Sequence, residues 1–159
     1  MQNNASREQT LLIVDDEPSN IQLLMELLSF DHKILVANNG EKALKIAAAD
    51  KRPDLILLDV VMPEMDGYEV CRQLKANEAT KDIPVIFITA RGSEDDQAKG
   101  FELGAVDYIT KPFSNVVIKA RLRTHLGLKQ KSDFFEWMLK ERTQELQNME
   151  REYARLFRR

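Results

Sequence analysis

Cysteine is almost missing from this chain of 159 residues: Cys71 stands alone, which excludes an internal disulfide framework. Long apolar runs are missing as well. None approaches the roughly 20 residues needed to span a bilayer, and the opening MQNNASREQT has no apolar signal-peptide core. A cytoplasmic, reducing setting with no membrane association is the expectation. There is no excess of basic charge: 23 Lys and Arg face 26 Asp and Glu, for a net charge of -3, so the bulk numbers do not suggest direct nucleic-acid binding. Glycine and proline vanish from the last 31 residues, whereas residues 1–128 hold all six Gly and all five Pro. The charge balance changes at the same place, from -5 over 1–128 to +2 over 129–159. Two different kinds of polymer are joined here, a domain with an ordinary core-forming composition and an extension.

What is present in the first part is an alternation of short apolar runs with helical patterns. The runs are Thr10–Val14, Lys33–Ala37, Asp54–Leu58, Ile83–Ile88 and Val106–Ile109, mostly continuous and rich in Ile, Leu and Val, as in strands covered on both faces. Between them lie stripes at helical spacing: Ile21, Leu24, Met25 and Leu28; Ala43, Leu44 and Ala47; Val70, Cys71 and Leu74; Ala98 and Phe101; Val117, Ala120 and Leu122. Five strand-then-helix units predict an α/β fold, a doubly wound five-stranded parallel sheet. Pro18 suits the first turn of a helix, Asp66 can cap another, and Gly104 ends the fourth.

Ligands of such sheets bind beyond the carboxyl ends of the strands. There the sequence places Asp15, Asp16, Asp59, Thr89 with the small Ala90, and Lys111. Three converging carboxylates repel one another, by about 1 kcal/mol per pair at 4 Å in water and more in an interior, so a cation belongs among them. The donors are all hard oxygens, with no His or Cys nearby in sequence, which favours Mg²⁺ over zinc or copper, Mn²⁺ being the other candidate. Lys111 can neutralise a carboxylate at rest or a phosphoryl oxygen later, and a carboxylate can serve as nucleophile. The set suits phosphoryl transfer.

Four stretches, LLIVDDEPSN, DLILLDVVMPEMDG, PVIFITA and YITKPF, resemble the receiver domain of bacterial two-component response regulators. The separations of Asp59 from Thr89 and from Lys111, 30 and 52 residues, match that family too. The resemblance covers residues 9–127, after an N-terminal tail over 1–8, and implies a flavodoxin-like (βα)5 fold. It implies that Asp59 accepts a phosphoryl group from a sensor histidine kinase or a phosphotransfer protein. Asp16, Asp59 and the backbone carbonyl of Val61 would bind Mg²⁺ directly, with Asp15 acting mostly through a metal-bound water. Thr89 and Lys111 would hold phosphoryl oxygens, Tyr108 would be an aromatic switch coupled to Thr89, and the bond before Pro112 would be cis. Val61 and Arg91 occupy positions that tune loss of the phosphoryl group in that family, and an apolar Val61 is expected to slow it. The signal would leave through the face of the fourth helix, fifth strand and fifth helix, where Asp107, Lys119 and Arg121 could pair across subunits. His32 and His125 read as surface residues, and Cys71 as a small core residue.

Residues 114–159 read as one long helix, of which 128–159 form a linker or coiled coil. Phe135, Leu139, Arg142, Leu146, Met149, Tyr153 and Leu156 follow a heptad seam, with Phe134, Trp137 and Met138 beside it. A homodimer through this helix or the fifth-helix face is expected. The text WMLKERTQELQ resembles connecting helices that lead to cyclic-dinucleotide or other signalling output domains, and the ending ARLFRR reads as the interior of a longer helix. The chain is thus expected to be a phosphorylation-controlled switch and not an enzyme with a small-molecule product. A Mg²⁺-dependent phosphohydrolase would want a general acid where Val61 stands, and a purely binding adaptor would not need the acid set.

Overall fold

In a computed structural model that describes residues 8–158, five strands and five helices alternate. They are β1 (Thr10–Val14), α1 (Pro18–Leu28), β2 (Lys33–Ala37), α2 (Gly40–Ala47), β3 (Leu55–Leu58), α3 (Gly67–Ala76), β4 (Val85–Thr89), α4 (Glu94–Glu102), β5 (Asp107–Thr110) and α5 (Asn115–Leu156). The expected tail over 1–8 lies outside the described residues apart from Glu8. The chain divides into two compact units between His125 and Leu126.

The first unit is built on one sheet of order β2-β1-β3-β4-β5, every neighbouring pair parallel. Strand residues alternate between its faces. Leu12, Val14, Ile56, Leu58, Val85 and Phe87 join Ala43 and Ala47 of α2 and Val70, Cys71 and Leu74 of α3 in one buried cluster. Leu11, Ile13, Leu55, Leu57, Ile86 and Ile88 point the other way and are equally buried, as are Leu24 and Leu28 of α1 and Ile118 and Leu122 of α5. Runs read as continuous apolar text because both faces are covered. The strand order is that of a doubly wound, flavodoxin-like sheet.

The punctuation works as chemistry requires. Pro18 opens α1, and the side chains of Asn39, Asp66 and Ser93 accept from backbone N–H groups of Lys42, Glu69 and Asp96 to cap α2, α3 and α4. Strand limits move slightly from the reading of the sequence. Asp54 precedes β3, its carboxylate accepting from the Thr10 N–H at 2.8 Å. β4 begins after Pro84, which has no N–H to donate.

Two apolar stripes are corrected. Ala98 and Phe101 of α4 face solvent while Gly100 is buried, and in α5 Val117 and Ala120 are exposed while Ile118 and Leu122 are buried. The buried α5 residues Ile118, Leu122 and Leu126 follow one another at intervals of one helical turn, a narrow line where a wider stripe was expected. In the second unit the expected seam residues Leu139, Leu146, Met149, Tyr153 and Leu156 are all well exposed, as are Phe134, Phe135 and Trp137.

Candidate functional site

The site gathers at the carboxyl ends of β1, β3, β4 and β5. Asp15 and Asp16 follow β1 directly, Asp59 follows β3, Thr89 closes β4, and Lys111 follows β5. One carboxylate oxygen from each of Asp15, Asp16 and Asp59 lies within 4.8 Å of the others. Asp15 and Asp59 are buried and Asp16 is exposed, so the cluster opens to solvent on one side.

Lys111 closes the other side. Its Nζ stands 3.0 Å from Asp15 Oδ2 and 3.2 Å from Asp59 Oδ2. Burial alone would lower the ammonium pKa, but its bonds to Asp15 and the charge of Asp59 outweigh this and raise it. One ammonium against three carboxylates leaves an anionic pocket of hard oxygen donors. That donor set fits a hard divalent cation such as Mg²⁺.

The other oxygens of Asp15 and Asp59 are tied to backbone. Asp15 Oδ1 accepts from the Glu17 N–H at 2.9 Å, and Asp59 Oδ1 from the Val61 N–H at 3.1 Å. The loop after Asp59 is tightly built: the Gly67 N–H donates to the Val60 carbonyl at 2.8 Å, and Glu64 takes a left-handed φ of 69°. Val61 is 56% exposed, so the residue two past Asp59 offers solvent an apolar side chain. The Lys111–Pro112 peptide bond is cis.

Thr89 is fully buried, and its Oγ1 accepts from the Arg91 N–H at 3.3 Å. Its hydroxyl proton has no acceptor among the described residues. Tyr108 is buried as well, and its hydroxyl donates to the Arg91 carbonyl at 2.7 Å. Burial, then the hydrogen bond with Tyr68, push the Tyr108 phenol well above its ordinary range.

One expectation fails here. His125 is not a surface residue: it is mostly buried, with Nε2 3.0 Å from Asp107 Oδ2, and Arg121 holds Oδ1 of the same carboxylate. Asp107 is therefore partnered within its own chain. The relation was hidden because Asp107 and His125 are 18 residues apart and meet only when α5 packs back beside β5. His32 is half-buried, its Nδ1 shielded and unpartnered among the described residues. Cys71 sits in the core, its thiol 3.7 Å from the Leu103 carbonyl and pushed up by burial to about 11. The sequence reading also missed Tyr68, whose hydroxyl lies 3.1 Å from that of Tyr108. Only the text DGYE marked it, and nothing in that text shows that α3 packs its first turn against α4.

A family model for the response regulator receiver domain matches residues 11–123. A probable cyclic di-GMP phosphodiesterase of Vibrio cholerae is 50% identical over 125 residues, which are 78% of this chain and 28% of that protein. The response regulator PleD of Caulobacter vibrioides is 45% identical over 115 residues, 72% of this chain and 25% of that one. The chain spans 25–28% of the length of these two relatives. Among solved structures, the receiver domain of a Pseudomonas aeruginosa sensor histidine kinase, with magnesium coordinated in its active-site cleft, superposes with a TM-score of 0.69. It is 30% identical, and the match covers 76% of this chain and 99% of that one.

Proposed function

This chain belongs to the response regulator receiver domain family, and from that premise we propose that residues 9–127 act as a phosphorylation-controlled switch with Asp59 as acceptor. The observation that carries the reading is the placement of one ammonium, Lys111, against both Asp15 and Asp59 in a pocket of three carboxylates. In the proposed step an Asp59 carboxylate oxygen attacks the phosphorus of a phosphohistidine on a sensor kinase or phosphotransfer protein. The P–O bond to Asp59 forms, the P–N bond breaks, and the imidazole nitrogen keeps the electron pair and takes a proton.

Each residue has a part in that step. Lys111 leaves Asp59 for a phosphoryl oxygen, so the positive charge follows the negative. The Thr89 hydroxyl proton is available to donate to a second phosphoryl oxygen. Asp16, Asp59 and the Val61 carbonyl would hold Mg²⁺, with Asp15 behind them, and Mn²⁺ could replace it. The ion would neutralise charge on the transferring group. Tyr108 would report the movement of Thr89 to the surface formed by α4, β5 and α5, as a shift between two populations. In this reading the chain undergoes self-phosphorylation and then slow hydrolysis, in which water takes the phosphoryl group from Asp59 and releases inorganic phosphate.

Residues 128–159 are read as a helical linker. The exposed apolar line from Leu139 to Leu156 supports a homodimer through this helix. The similarity to a probable cyclic di-GMP phosphodiesterase and to PleD supports a signalling output domain as the recipient. No helix of the described residues is long and apolar enough to cross a membrane.

Incubation with a small phosphodonor and Mg²⁺, followed by weighing, tests the proposal. One added phosphoryl group, lost in Asp59→Ala, is the expected result. Turnover of many donor molecules per chain would indicate a phosphohydrolase, and no added mass an adaptor.

A further inference from the structure

Tyr68 and Tyr108 come from different elements, the first turn of α3 and the middle of β5, yet their hydroxyl oxygens lie 3.1 Å apart. Phe87 of β4 packs against both rings, its centroid 5.4 Å from that of Tyr68 and 5.5 Å from that of Tyr108. The Lys99 ammonium lies 4.6 Å above the outer face of the Tyr68 ring. Both tyrosines are about as buried as their neighbours in the core.

Counting protons shows how the pair works. The Tyr108 hydroxyl has the Arg91 carbonyl at 2.7 Å, the Tyr68 hydroxyl has the Asp96 carbonyl at 2.9 Å, and the two hydroxyls have each other. Three contacts share two phenolic protons. If Tyr68 gives its proton to Asp96, the two phenolic oxygens face each other with lone pairs opposed. If Tyr68 gives it to Tyr108, both protons run the same way, from Tyr68 to Tyr108 to Arg91, and each bond polarises the next. Asp96 lies inside α4, where its carbonyl has a helical N–H donor four residues on, so it does not need Tyr68. Arg91 lies outside the helix and has no such donor.

The Tyr108 ring also meets a glycine. A Cβ on Gly100 would come within 2.8 Å of Tyr108 Cδ2 and 3.1 Å of Phe87 Cδ2. Glycine within a helix is unfavourable relative to alanine, and here its absent side chain is the space that the ring occupies.

We propose that Tyr68 and Gly100 form the seat of Tyr108: Gly100 admits the ring, and the Tyr68 hydroxyl donates to the Tyr108 oxygen and holds it inward. Tyr68 is a positioning residue. Because α3 starts directly after the Asp59 loop, it also connects that loop to α4 by a route that does not pass through Thr89. The proposal takes from the receiver reading only the switch role of Tyr108, and the seat itself can be tested without any phosphodonor.

The chain has three tyrosines, so incorporation of 3-fluorotyrosine gives three fluorine resonances, assigned by the single Tyr→Phe variants. A soluble paramagnetic probe then reports how exposed the Tyr108 ring is in the resting full-length chain. Tyr68→Phe keeps the ring and removes one hydrogen bond, and should lower the ratio of inward to outward Tyr108 about two- to tenfold. Gly100→Ala should expose Tyr108 with Tyr68 intact. Thermal unfolding of each variant separates exposure of this ring from loss of the fold, and Gly100→Ala gives a second reading if Tyr68→Phe is unstable. An unchanged Tyr108 resonance in either folded variant, or a better shielded one in Tyr68→Phe, overturns the proposal. Absence of Asp59 phosphorylation in the same preparations would count against the receiver reading and leave the seat intact.

Discussion

A Cβ on Gly67 would lie 2.0 Å from the carbonyl oxygen of Asp59. The first residue of α3 and the backbone of Asp59, the proposed acceptor, are therefore in direct contact, and any side chain at 67 must push Asp59 out of place. Gly67→Ala is expected to lose about 3 kcal/mol of stability in urea unfolding, the scale of overpacking in a tight interior. Where the variant remains folded, it should also accept the phosphoryl group more slowly. Unchanged values for both would mean that the loop yields more easily than its geometry indicates.

Lys111 competes with any metal for the same oxygens. Replacing it by Met leaves the three carboxylates without their ammonium, so Mg²⁺ should bind more tightly, by about tenfold for about 1.4 kcal/mol. Phosphoryl acceptance should fall at the same time, because the charge that follows the phosphoryl oxygens is gone. Titration calorimetry and phosphorylation assays on one preparation read the two effects. Weaker Mg²⁺ binding in Lys111→Met would contradict the competition.

Val61 presents an apolar, exposed side chain two residues past Asp59, the proposed acceptor. Val61→Asn would offer an attacking water one hydrogen bond and is expected to shorten the phosphorylated lifetime roughly two- to tenfold. The decay of the phosphorylated mass measures it. A lifetime equal to that of the parent would show that the side chain at 61 does not govern the approach of water.

The Cys71 thiol is held at about 11 by burial, against an ordinary 9.0. An acid whose pKa is raised by folding stabilises the fold in full below its unfolded value, and this contribution is lost as pH climbs through the folded value. Stability should therefore decline between pH 9 and 11 by up to about 3 kcal/mol from this residue. Cys71→Ala removes the titration, so its stability should fall less steeply with pH over the same interval. Urea unfolding at several alkaline pH values compares the slopes and cancels the other groups that titrate there.

The proposed dimerisation through the C-terminal helix would use apolar residues that are exposed in the single chain. Leu146→Asp places a charge in the middle of the seam and should shift sedimentation from dimer to monomer without changing the unfolding of the receiver. A parent chain that sediments as a monomer at all concentrations would count against the seam.

The site was legible in the sequence to the extent that it depends on strand ends. Asp15, Asp16, Asp59, Thr89 and Lys111 each follow or close an apolar run, and a parallel sheet brings such ends to one edge whatever the helices do. Relations that depend on how helices pack were not legible. His125 meets Asp107 because α5 turns back beside β5, and Tyr68 of α3 meets Tyr108 of β5 where both rings pack on Phe87 of β4. The stripes of α4 and α5 misled for a related reason: Gly100 faces inward where an apolar side chain was expected, since the space belongs to Tyr108.

The bond from Lys111 to Asp15 joins residues 96 positions apart, across a sheet in which β3 and β4 lie between their strands. Synthesis delivers the three carboxylates long before it delivers the ammonium. A nascent chain that has paired β1 through β4 holds mutually repelling acids and lacks the group that would receive a phosphoryl charge. In the proposed reading, competence for the chemistry would arrive only with the last strand, which brings Lys111 to the three carboxylates.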